Sequence, residues 1–146
     1  MFSERMDKFK YLLEEKKIDV ALITDQDNIY YLTGYYDFLH MEFGRPTILI
    51  VSNQGQTTLI TPAIDINSAQ ALAKVDRILA WNDGSGDEWR QELPDFVKNA
   101  HQVAIERNSI PSLVLRYLNK IIPSKLLADT TPLLSKMRMI KSTEEL

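Results

Sequence analysis

The chain contains no cysteine, which removes disulfides, thiolate metal sites and cysteine nucleophiles from consideration. It holds only two histidines, His40 and His101, far apart in sequence, so a histidine-rich metal site has little to draw on. No stretch of one charge stands out. Seventeen Lys and Arg against 20 Asp and Glu give a formal charge of −3 with both signs interspersed, which argues against nucleic acid or an anionic membrane surface as the main partner. Apolar runs such as Thr47 to Val51 are far too short to cross a bilayer. The first residues, Met1 to Lys8, are charged and amphipathic and lack the basic-then-apolar order of a signal peptide, so a cytoplasmic location is expected. GxGxxG, GxxxxGK, HExxH and GxSxG are all missing, leaving phosphate-loop, zinc-protease and serine-hydrolase readings without their signatures. There is no internal repeat and no low-complexity linker.

What is present is ample apolar material, 45% of 146 residues, enough for the core of one globular domain. Ser3 can cap a helix with Met6, Phe9 and Leu13 on its apolar face and Leu12 beside them. Asp19 to Thr24 reads as a short buried strand, and Asp25 to Asn28 as a turn. Thr47 to Val51 and Thr57 to Ile60 flank a glycine-bearing loop and read as a β-hairpin. A helix is expected over Ile64 to Lys74, a strand over Arg77 to Trp81, and a loop over Asp83 to Asp87. Asp87 would cap a helix carrying Trp89, Leu93, Phe96 and Val97, kinked at Pro94. Val103 to Glu106 reads as a strand, Pro111 as the first turn of a helix reaching Ile122, and Lys125 to Asp129 as a strand. From Thr131-Pro132 a last helix would pack Leu133, Leu134, Met137 and Ile140 on the sheet and leave Lys136, Arg138 and Lys141 outside. Alternation of this kind, with short loops, predicts an α/β domain whose mixed, mostly parallel sheet is flanked by helices.

The final residues, Ser142-Thr143-Glu144-Glu145-Leu146, have the form of a capping box, Ser142 at the N-cap and Glu145 three places on. A further element is therefore expected after them, and the residues present are read as a supporting domain.

Candidate chemistry is sparse. Asp37, His40 and Glu42 could be imagined as metal ligands, but two alternating residues and a neighbour fall short of the three or four converging ligands such sites need; no metal site is expected within this chain. Asp25, Asp27 and Asp129 stand at strand ends, where aspartates can be catalytic but more commonly cap helices and form turns. The unusual stretch is Asn28 to Pro46, dense in aromatics and with an arginine beside a glycine. It reads as a loop of about ten residues between core elements, suited to a carboxylate-bearing ligand or a protein surface. For Tyr30 to Leu32 core packing and ligand contact both stand; Phe43 and Arg45 are read as functional. Trp81 and Trp89 are read as core, with an interface role as the other reading.

At this stretch the sequence resembles the N-terminal domain of the creatinase, prolidase and aminopeptidase P family, the pita-bread metallohydrolases. The resemblance runs through Arg5 with Leu12-Leu13, Asp19-Val20-Ala21-Leu22-Ile23, Asn28-Ile29-Tyr30-Tyr31-Leu32-Thr33-Gly34, and Met137 to Glu145. It implies a ribonuclease-H-like creatinase N-terminal fold over residues 1–140, with 141–146 starting the passage into a pita-bread catalytic domain. There, two aspartates, a histidine and two glutamates would hold two divalent metals, manganese being the metal expected, and activate a bridging water. All those ligands would lie beyond Leu146, so this chain itself is expected to be inactive. The resemblance further implies a homodimer in which the N-terminal domain lends a loop to the partner subunit's pocket, a small peptide as substrate, and the chain's own C-terminal domain as a partner.

Phe43-Gly44-Arg45 resembles the stretch by which creatinase reaches across its dimer to hold a substrate carboxylate, and His40 lies where some prolidases send a histidine into the neighbouring site. His40, Phe43 and Arg45 are thus the substrate-contact candidates. The reading is of a noncatalytic domain of a dimetal Xaa-Pro peptidase, a prolidase or aminopeptidase P. Its rivals are the same domain in a creatinase-like amidinohydrolase or other small-carboxylate hydrolase, and a protein-binding module of a relative lacking the metal ligands.

Overall fold

The computed structural model describes residues 1–36, 46–82 and 88–139. Six strands form one sheet in the order β4-β3-β2-β1-β5-β6. They are β1 (Val20–Ile23), β2 (Ile48–Ser52), β3 (Thr57–Pro62), β4 (Arg77–Trp81), β5 (Val103–Ile105) and β6 (Leu127–Asp129). β2 runs antiparallel to both its neighbours, and the other three pairings are parallel. Five strands consequently end at one edge of the sheet, where β2 begins.

Side chains alternate across this sheet and build two cores. Ala21, Ile23, Leu49, Val51, Leu59 and Ala104 meet α1 (Phe2–Glu15), α2 (Gln26–Thr33), α3 (Ile66–Leu72) and α7 (Thr131–Met139). Val20, Leu22, Ile48, Ile50, Ile60, Val103 and Ile105 meet α4 (Glu88–Glu92), α5 (Pro94–Val97) and α6 (Ser112–Ile121). All four residues of β1 are buried, because a central strand covered on both faces has no solvent side, and this is why it reads as a continuous apolar run. The expected α/β architecture with a mixed, mostly parallel sheet is the architecture found.

Several elements differ from expectation, each for a local reason. Helix α1 starts at Phe2 with Met1 at the N-cap and no side-chain cap, so Ser3 lies inside it. Phe2 meets the Tyr30 ring edge-on at 6.1 Å and lies under the Arg5 guanidinium, contacts that draw the helix start back to it. At its other end α1 closes without glycine: Lys17 takes φ 60° while Ile18 N–H reaches the Leu13 carbonyl and Lys17 N–H that of Glu14, the pairing of a Schellman motif.

The turn expected at Asp25 to Asn28 and the loop expected after it give way to helix α2. Asp25 is its N-cap, the carboxylate accepting from Asn28 N–H, and Gly34 at φ 83° ends it. An ideal Cβ on Gly34 would approach the Phe2 ring to 3.1 Å, so both its backbone and its neighbours favour glycine.

The helix expected over Ile64 to Lys74 is a 3-10 turn (Ala63–Asp65) followed by α3. Pro94, lacking an N–H, divides the next helix into α4 and α5. A 3-10 turn (Ser124–Leu126) delays β6 to Leu127, as Gln102 Nε2 donates to the Leu126 carbonyl. Trp81 and Trp89 are both buried in the second core, which answers for the core reading. No described helix is long and apolar enough to cross a membrane.

Candidate functional site

The substrate-contact candidates His40, Phe43 and Arg45, together with Asp37 and Glu42, lie outside the described residues. What the structure gives is the frame from which that segment departs and to which it returns. On the outgoing side, Gly34 turns the chain at the end of α2, and Tyr35 is fully enclosed, its N–H donating to Thr33 Oγ1 at 3.1 Å. Tyr36 Oη accepts from Gln26 Nε2 at 2.8 Å. On the returning side, the Pro46 carbonyl accepts from Trp81 Nε1 at 3.2 Å, and Thr47 Oγ1 lies 3.5 Å from Thr61 Oγ1. The returning end is therefore anchored at the sheet edge where β1, β3, β4, β5 and β6 terminate, the place where open α/β sheets commonly receive ligands, and the outgoing end is held against α2.

Of the residues flanking the segment, Leu32 is buried, Tyr31 is partly buried against the first core with its hydroxyl donating to the Met137 carbonyl at 3.2 Å, and Tyr30 is 48% exposed. The core reading therefore holds for Leu32, while Tyr30 sits on the surface between the rings of Phe2 and Tyr36.

Two of the strand-end aspartates, Asp25 and Asp129, have structural duties. Asp25 caps α2. Asp129 Oδ1 accepts from Thr131 N–H at 3.0 Å and Arg107 N–H at 3.2 Å, which starts α7. Partial burial would push the Asp129 carboxyl up, but the hydrogen bonds from Thr131 and Arg107 outweigh it and hold it below its ordinary value.

A buried carboxyl that the sequence pattern does not reveal is Glu106, just past the end of β5 and 1% exposed. Its Oε1 accepts from Thr24 N–H at 2.6 Å and Asp25 N–H at 2.9 Å, and its Oε2 from Asn28 Nδ2 at 2.5 Å. Burial pushes its carboxyl above the ordinary range, with hydrogen bonds from Asp25, Asn28 and Thr24 opposing and the Asp25 charge adding to the rise. The one signal for it in the sequence is an acidic residue closing an apolar strand.

His101 stands at the opposite end of the sheet, ahead of β5, with its backbone N–H on Asp19 Oδ2. Among the described residues no three His, Asp or Glu side chains converge as a metal would require. Asp25, Asp129 and Glu106 each accept from backbone N–H groups. The described part of this chain offers no dimetal site of its own.

Residues 5–140 match the family model of the creatinase/prolidase N-terminal domain. The chain belongs to that family. A Xaa-Pro dipeptidase of Lactobacillus helveticus is 25% identical over an alignment of 146 positions that covers 97% of this chain and 38% of that protein. A proline dipeptidase structure from Streptococcus pneumoniae superposes with a TM-score of 0.78 at 25% identity, over 93% of this chain and 98% of that one. A prolidase from Thermococcus sibiricus gives a TM-score of 0.82 at 21% identity, over 99% of this chain and 39% of its own; at that identity the likeness is one of fold. The chain thus spans 38% of the length of the curated relatives it matches, and corresponds to their N-terminal domain.

Proposed function

We propose that this chain is the noncatalytic N-terminal domain of a dimetal Xaa-Pro peptidase of the prolidase or aminopeptidase P kind. Residues 1–140 are the domain and 141–146 begin the passage into a metal-bearing pita-bread domain. The observation that carries the reading is the family match over 5–140 in a chain that spans 38% of Xaa-Pro dipeptidases. In this reading the protein is a cytoplasmic homodimer. The segment anchored at Gly34 and Pro46 brings His40, Phe43 and Arg45 to the partner subunit's pocket, where the guanidinium holds the carboxylate of a small peptide. The two divalent metals, manganese being the expected pair, belong to the other domain.

The reading is tested by assaying the full-length protein on a Xaa-Pro dipeptide, a longer Xaa-Pro peptide and creatine, with manganese supplied and then chelated, beside residues 1–146 alone. Chelator-sensitive cleavage of an Xaa-Pro substrate by the full-length protein only is the expected result. Cleavage of creatine alone would transfer the domain to the amidinohydrolase branch that Phe43-Gly44-Arg45 resembles. Silence on all three would transfer it to the protein-binding relatives.

A further inference from the structure

We infer that the side-chain amide of Asn28 is a polarity relay, coupling the protonation state of the buried Glu106 carboxyl to the grip of α2 on Arg138 of α7. Asn28 sits on the first turn of α2 between two partners of fixed and opposite character. On one side Glu106 Oε2 lies 2.5 Å from Nδ2; on the other Arg138 Nη1 lies 3.0 Å from Oδ1. A carboxylate only accepts hydrogen bonds and a guanidinium only donates them, whereas an amide has one end of each kind. With Glu106 ionised, both contacts of Asn28 are satisfied in a single orientation of its amide.

Protonation of Glu106 upsets this arrangement at one particular oxygen. Oε1 is held by the N–H groups of Thr24 and Asp25, two donors that leave no place for a third hydrogen, so the proton resides on Oε2. That oxygen becomes a donor and faces the amide. Asn28 then turns over to present Oδ1 to Glu106, which brings its NH2 group to the Arg138 guanidinium, donor against donor, and the contact with α7 is lost.

The charged groups around Glu106 are few. Asp25 approaches from the head of α2 and disfavours its ionisation; Arg138 approaches from α7 only through Asn28. Arg107, next in the chain, directs its guanidinium to the Leu127 carbonyl and its backbone N–H to Asp129. No ion pair holds Glu106 ionised among the described residues. Burial favours its proton. The relay is independent of any catalytic role of the chain.

The test is solution NMR on the 146-residue chain; a streptococcal chain of which 98% aligns with this one was crystallised at that size. In the wild type the Asn28 side-chain NH2 and the Arg138 guanidinium resonances should titrate with the same midpoint as the Glu106 carboxyl carbon, and in Arg138→Ala the Asn28 response should persist. Glu106→Gln, a permanent donor at the Asn28 side, should lower hydrogen-exchange protection in α7 about two- to fivefold at neutral pH, the size of one modest hydrogen bond. Arg138→Ala should lower it equally, and the double variant no further. Additive losses, or Arg138 resonances that ignore the Glu106 titration, would overturn the relay and leave Glu106 as an anchor of α2 only. Should Glu106→Gln fail to fold, the wild-type titration decides the matter by itself.

Discussion

The indole N–H of Trp81, at the end of β4, donates to the carbonyl oxygen of Pro46 across 3.2 Å. It ties the edge of the sheet to the point where the candidate substrate segment returns to β2. Both residues are buried, so the carbonyl has no water to fall back on. Trp81→Phe keeps an apolar ring but orphans that oxygen, and should cost about 1–3 kcal/mol. Urea denaturation followed by circular dichroism measures it; a loss under a few tenths of a kcal/mol would mean that the carbonyl finds another partner.

Lys17 offers the opposite sign. It holds φ 60° to close α1, a conformation in which a side chain costs roughly 1–2 kcal/mol and glycine pays nothing sterically. Against this, glycine raises the entropy of the unfolded chain by roughly 0.5–1 kcal/mol. Lys17→Gly should therefore stabilise by several tenths to about 1 kcal/mol, visible as a Tm higher by a few degrees in a thermal melt. A lower Tm would show that the lysine side chain contributes contacts worth more than its strain.

Glu106 and Asp129 should bend the stability profile in opposite directions. Glu106 is raised above its ordinary 4.5, chiefly by burial, so the native state binds more protons there than the unfolded chain does. Its contribution is full below 4.5 and is lost as pH rises through the elevated value. Asp129 is lowered from its ordinary 3.8 because hydrogen bonds from Thr131 and Arg107 overcome its burial. Its contribution is full above 3.8 and is lost as pH falls through the depressed value. Urea midpoints at acidic and neutral pH should show wild type losing ground to Glu106→Gln as pH rises, and losing its advantage over Asp129→Asn as pH falls. Slopes of the reverse sign would refute the corresponding shift.

Most of this architecture is legible in the sequence because it rests on apolar pattern. Val20 to Ile23, the hairpin around Gly55 and the helix after Pro111 each announce themselves by a run or a period. Helix α2 is obscured by its own aromatics: Tyr30 and Tyr31 favour a loop reading, although Asp25 and Gly34 supply a cap at each end of only eight residues. Glu106 cannot be found by pattern. An acidic residue after a strand is ordinarily solvated, and what makes this one buried and engaged are Thr24 and Asn28, 82 and 78 positions away. Ser3 fails as a cap for a similar reason, since the start of α1 is set by Phe2 against Tyr30, a contact no local pattern contains. Among the site candidates, Phe43 and Arg45 stand out by the aromatic-dense stretch with an arginine beside a glycine as well as by family resemblance, and His40 by the resemblance alone.

Arg45 is the residue on which the proposed pocket role turns. It immediately precedes Pro46, whose carbonyl accepts from Trp81. A guanidinium on a carboxylate is worth about 1.5–3 kcal/mol as a charged hydrogen bond, which corresponds to a loss of roughly 10- to 150-fold in kcat/KM for Arg45→Ala. Measured in the full-length protein on a Xaa-Pro dipeptide, the loss should fall mainly on KM if the carboxylate is held equally in ground and transition states. Masking the ligand's charge distinguishes this from a folding defect: a substrate whose C-terminal carboxylate is amidated should react equally with wild type and variant. Unchanged kinetics on the free dipeptide would remove Arg45 from the pocket, whereas equal damage on both substrates would mean that it supports the segment instead of touching the ligand.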